Sequence, residues 1–112
     1  MTELAKILAA IDADVPASRA RLMEWLRIPS ISAQPAHAGD CAAAAEWVRA
    51  ELASLGFEAS LRPTVGQPVV IGHHPGPGGN VPHLLFYGHY DVQPADPMEL
   101  WTSPPFAPVP VS

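Results

Sequence analysis

Prolines dominate the second half of this chain: eleven of the fourteen lie at or after Pro63. A proline lacks the amide hydrogen that a helix interior needs and clashes with the carbonyl four residues back, so no long helix fits beyond that point. Helices are therefore confined to the first half and strands and loops to the second. Leu4, Ile7, Leu8 and Ile11 recur at helical spacing and predict an amphipathic helix from about Thr2 to Ala13. Asp14 is placed to cap a second segment with Pro16 in its first turn, where Leu22, Met23 and Leu26 form the buried stripe and Arg19, Arg21 and Glu24 face water. Pro29 ends it, because the residue before a proline is driven out of the α region. Ser30 to Gly39 reads as a polar loop. Asp40 then caps the clearest helix, Cys41 to Leu55, and Gly56 stops it. The face Cys41, Ala44, Ala45, Val48, Leu52 and Leu55 is small and apolar enough to pack closely on a sheet. Strands are predicted at Phe57 to Arg62, at Val69 to Ile71 and at Pro82 to Gly88, the last two joined as a long hairpin. The expected class is α/β, with N-terminal helices packed on a partial mixed sheet.

The third strand carries the chemistry. Leu84, Leu85, Phe86 and Tyr87 run without polar alternation, as in a strand covered on both faces. Gly88 and His89 follow at its end, where ligands of α/β proteins collect. If the backbone stays extended, the period of two puts His89 and Asp91 on one side and Tyr90 on the other. A carboxylate that accepts from one ring nitrogen leaves the other lone pair aimed outward, the arrangement a metal-ligating histidine needs. His89 is thus the candidate metal ligand and Asp91 its orienting carboxylate; taken alone, such a triplet is more often a surface pair than a metal site. Other candidates read as structural. His37 lacks a companion at ligand spacing and belongs to a solvated loop. His73 and His74 point to opposite faces of a strand, so at most one could join a site with His89. Asp96 and Glu99 fall in turns, and Cys41, with no neighbouring His or Cys in sequence, is a buried structural thiol. The glycines of Pro75 to Asn80 precede a strand and not a helix, so they do not form a phosphate loop.

Gly88-His89-Tyr90-Asp91-Val92-Gln93-Pro94, followed by Trp101 and Pro105-Phe106, closely resembles the first metal-binding segment of the M20 family of zinc peptidases. The form of this stretch is most similar to the carnosinase-like dipeptidase branch, and the likeness extends to Leu26-Arg27-Ile28-Pro29-Ser30-Ile31-Ser32. The resemblance implies an α/β catalytic domain binding two zinc ions bridged by an aspartate and a water, with a glutamate as general base. It implies that His89 binds one zinc, that Asp91 supports it, and that a small peptide is the substrate of the complete enzyme, itself a homodimer. On that reading residues 1–112 are the N-terminal part of the catalytic domain. The remaining ligands, the base and the dimerisation domain lie beyond Ser112, and the isolated chain is expected to be inactive and loosely packed or poorly soluble. Trp101, Pro104, Pro105 and Phe106 are expected to pack the loop down behind the site.

Charge and composition exclude other classes. The formal net charge is −5 and the six cations are scattered, so nucleic acid is a poor partner. With 48% apolar and 15% charged residues, a disordered chain is not expected. A single cysteine excludes an internal disulfide and suits a reducing compartment. The apolar stretch Leu4 to Ile11 is broken by Lys6 and lacks a preceding cationic region, so no signal peptide or membrane span is expected and the cytoplasm is the default. The competing function class is a non-catalytic α/β module that binds a partner through an exposed sheet edge or helix face.

Overall fold

A computed structural model describes residues 1–111. The chain divides into two units, one formed by Met1–Arg27 with the segment from Pro97 on, the other by Ile28–Asp96.

In the first unit a single helix, α1, runs from Glu3–Leu26. Thr2 begins it: its side-chain oxygen accepts from the Ala5 amide at 3.1 Å, satisfying one of the first turn's spare donors. The expected break at Asp14 does not occur, and Pro16 lies inside the helix. An interior proline costs about 3 kcal/mol, but alanine and leucine on both sides of it, with arginine after it, favour helix. Asp14 does not cap. Its carboxylate instead accepts from Ser18 Oγ at 2.6 Å and from Arg21 at 2.7 Å, tying together the turns that follow the proline. These bonds hold the Asp14 carboxyl below its usual range, Ser18 contributing most. The apolar stripe is where the spacing put it, yet Leu4, Ile7, Leu8, Ile11, Leu22 and Leu26 are all exposed. A short 3-10 turn, Met98–Leu100, follows Pro97 in the same unit. Trp101 is exposed, while Pro105 and Phe106 are half-buried.

The second unit holds a helix α2, Ala38–Ser54, and a two-stranded antiparallel sheet, β1, Glu58–Arg62, and β2, Val69–His73. The register pairs Glu58 with His73 and Arg62 with Val69. Helix α2 starts three residues before the expected first residue, preceded by a 3-10 turn Pro35–His37. Asp40 therefore lies in the first turn, where a carboxylate is favoured by the helix dipole, and is not the cap. The end is as expected: Gly56 takes a φ of 91°, its amide bonds to the Ala53 carbonyl, and the Phe57 amide bonds to the Leu52 carbonyl. This pairing satisfies carbonyls that the helix end would otherwise leave open. The small face of α2 packs on both strands. Gly72 permits the approach, since a Cβ there would lie 3.0 Å from Leu52 Cδ1 and 3.5 Å from Phe57 Cδ1. The core comprises Ser30, Ile31, Cys41, Ala44 and Ala45.

The predicted third strand is the main departure. Leu84 to Tyr87 form no ladder, and their exposures run from 74% to 93%. A strand exists only by exchanging backbone bonds with a neighbour, and among the described residues none runs alongside this one. The class is α/β, but the sheet is narrower than expected. Outside this antiparallel pair, an isolated parallel bridge joins Ile31 and Val92.

Candidate metal-ligand site

The three residues after Gly88 alternate between two sides, as an extended backbone requires. Tyr90 turns toward the body of the second unit, where its hydroxyl donates to the Pro68 carbonyl at 2.7 Å. Burial pushes the Tyr90 phenol up, with Cys41 and Asp91 adding to the shift. His89 and Asp91 turn the other way and meet. His89 Nδ1 lies 3.1 Å from Asp91 Oδ1 and 3.0 Å from the Asp91 carbonyl oxygen. Both partners are acceptors, so Nδ1 carries the proton and donates, leaving the Nε2 lone pair free. The imidazole is 73% exposed and the carboxylate 41%.

A second segment holds this pair from below. The Ser30 hydroxyl donates to the Tyr90 carbonyl at 2.7 Å, and the Val92 amide donates to the Ser30 carbonyl at 2.9 Å. Two residues on, the Ser32 hydroxyl donates to Asp91 Oδ2 at 2.6 Å. The Asp91 carboxyl is held below the usual range first by Ser32 and then by His89, against an upward push from partial burial. Beneath lies Cys41, fully buried, whose thiol is pushed up by burial and by the nearby negative charges of Asp91 and Asp40. A thiol kept protonated is a packing group and not a nucleophile.

The other sequence candidates have partners of their own or stand exposed. His37 is not a solvated loop residue: its side chain is half-buried and Nδ1 sits 2.7 Å from Asp40 Oδ2, across the first turn of α2. His73 stacks at a tilt on His83, their ring centroids 6.1 Å apart. His74 accepts from the Gly76 amide at 3.0 Å and meets Phe57 edge-on. Asp96 and Glu99 are exposed. Among the described residues no group of three or more His, Cys, Asp and Glu side chains is gathered so as to hold a metal ion. The imidazole with its supporting carboxylate suits one corner of a metal site and does not complete one. Sequence reasoning missed Ser30 and Ser32. Their partners lie 60 and 59 residues away, and no local pattern signals such a pairing; the one available signal was that both fall in the second stretch of resemblance.

No protein-family model matches the chain. It is 38% identical over 84 residues to the cysteinylglycine-S-conjugate dipeptidase of Corynebacterium striatum, a match covering 75% of this chain and 18% of that protein. It is 45% identical over 58 residues to the succinyl-diaminopimelate desuccinylase of Burkholderia cenocepacia, covering 51% of this chain and 15% of the relative. Among solved structures it resembles the di-peptidase Dug1p of Saccharomyces cerevisiae, with a TM-score of 0.82 at 26% identity, over 94% of this chain and 24% of that one. The chain thus spans less than a quarter of the length of these relatives. All three bear names of hydrolases, and together they support the resemblance to M20 dipeptidases.

Proposed function

We propose that this chain, a partial M20-type peptidase domain by its kinship with dipeptidases and desuccinylases, contributes the ligand His89 and its orienting carboxylate Asp91 to a metal-dependent hydrolase of peptide (amide) bonds. The observation that carries the reading is the hydrogen bond from His89 Nδ1 to Asp91, which leaves Nε2 as a lone pair on a largely exposed ring. A zinc pair, when bound, supplies an activated water and polarises the scissile carbonyl. The chain's own residues do the holding: Asp91 selects the tautomer of His89, Ser32 holds Asp91, and Ser30 fixes the backbone on both sides of it. A catalytic zinc takes three protein ligands. One imidazole is short of that, so the described residues alone are proposed to be inactive and to need the rest of a complete enzyme, a homodimer acting on small peptides. A cytoplasmic setting belongs to the same proposal, in keeping with a single, buried, reduced cysteine. No helix of the described residues is long and apolar enough to cross a membrane.

Zinc titration of the isotopically labelled chain, followed by nuclear magnetic resonance, tests the ligand. Zinc should move the Nε2 resonance of His89 first, and His89→Ala should abolish the perturbation around Asp91. Shifts centred on His37 or on His73 and His83, with His89 unmoved, would sink the assignment. The exposed Leu84 to Tyr87 run favours a second reading, a non-catalytic module that docks a partner; zinc shifts indifferent to His89 would turn the balance toward it.

A further inference from the structure

We infer that Ser32 is a positioning residue, which acts on the imidazole through Asp91 by holding its carboxylate in the one orientation that meets the ring. The functional consequence rests on reading His89 as a ligand; the geometry does not. Asp91 is 41% exposed, so packing by itself does not choose its rotamer. Two side-chain bonds do. The bond from Ser32 Oγ to Oδ2 is 2.6 Å, the short length of a hydroxyl on an ionised carboxylate, whereas that from His89 Nδ1 to Oδ1 is 3.1 Å. The shorter, charge-assisted bond is the stronger anchor.

A competitor makes the anchor matter. The Asp91 backbone carbonyl lies 3.0 Å from the same His89 nitrogen. With the carboxylate loose, the Nδ1 proton keeps a neutral acceptor and loses the charged one. The two acceptors select the same tautomer, but only the carboxylate sets a negative charge against the ring, the support a metal-ligating imidazole ordinarily has. Ser32 therefore decides which acceptor the ring faces. The donor is itself fixed in register with the triplet: two residues earlier, nearly fully buried Ser30 bonds the Tyr90 carbonyl and the Val92 amide, which flank Asp91 on both sides. Ser30 sets the distance between the two segments, and Ser32 uses it.

The test is nuclear magnetic resonance on the full chain near pH 8, well above the ordinary carboxylate range. Side-chain couplings report the Asp91 χ1 rotamer and nitrogen shifts report the His89 ring. The wild type should show one Asp91 rotamer. In Ser32→Ala the preference for it should fall about tenfold or more, as expected on losing a charge-assisted hydrogen bond, and the His89 ring nitrogens should shift while amides elsewhere stay put. Ser32→Thr keeps the hydroxyl and should restore both signals, which a merely structural role would not require. If Ser32→Ala does not fold, Ser32→Cys, close in shape and a weak donor, takes its place with the same readouts. A wild-type Asp91 already averaged among rotamers overturns the inference, as does an unchanged rotamer and ring in the alanine or cysteine variant. Zinc separates the two claims. Rotamer control by Ser32 without a zinc response at His89 removes the ligand reading alone; the reverse removes this inference alone.

Discussion

Replacing Ser30 with alanine deletes one hydroxyl from a residue that is 3% exposed. That hydroxyl donates to the Tyr90 carbonyl at 2.7 Å across a sequence separation of 60. Alanine leaves the carbonyl without its donor in a site with little access for water. A satisfied bond of this kind is worth about 0.5–1.5 kcal/mol, and an orphaned buried acceptor costs about 1–3 kcal/mol, so a loss of about 1–2 kcal/mol is expected. The loss falls locally, because the neighbouring tie between the Val92 amide and the Ser30 carbonyl, 2.9 Å long, belongs to the same bridge. Hydrogen exchange of the Val92 amide reads the opening of that bridge directly, whether or not the whole chain unfolds in one step. An opening made easier by 1–2 kcal/mol corresponds to roughly 5–30-fold faster exchange. Protection at Val92 within about twofold of wild type would show that the carbonyl finds another donor and that the serine does not hold the segment.

Two further outcomes follow from the same geometry. Leu85, among the most exposed of the large apolar residues of the second unit, should promote self-association of the chain; Leu85→Lys should lower light scattering at equal concentration without altering the circular dichroism, and unchanged scattering would exonerate the stretch. The Asp14 carboxyl, held below its ordinary value of 3.8 by Ser18 and Arg21, favours the folded helix above that value and loses this contribution as pH falls through the lower folded one. Asp14→Asn should therefore be less stable than wild type near pH 6, and the difference should shrink as acid protonates the carboxylate; a gap that stays constant as pH falls would refute the carboxylate's part.

Local chemistry was legible where both partners sit within one turn or one strand. Gly56 ends α2 because only a residue without a Cβ takes that φ cheaply. His89 and Asp91 meet because two residues of extended backbone return side chains to the same side. Cap assignments were less secure: Asp14 and Asp40 both look like helix starts, yet each lies inside a helix with a better local partner, Ser18 and Arg21 for one and His37 for the other. Propensity names the residues able to cap and does not say which of several carboxylates is used.

The order of residues thus determined the helical first half, the exclusion of long helix beyond Pro63, and the facing imidazole and carboxylate, all consequences of backbone sterics over a few bonds. Tertiary structure alone decided that Ser30 and Ser32 brace that pair and that Leu84 to Tyr87 find no partner strand among the described residues. Both depend on which distant backbone comes alongside, and a hydrogen bond across sixty residues leaves no periodicity in the sequence to announce it.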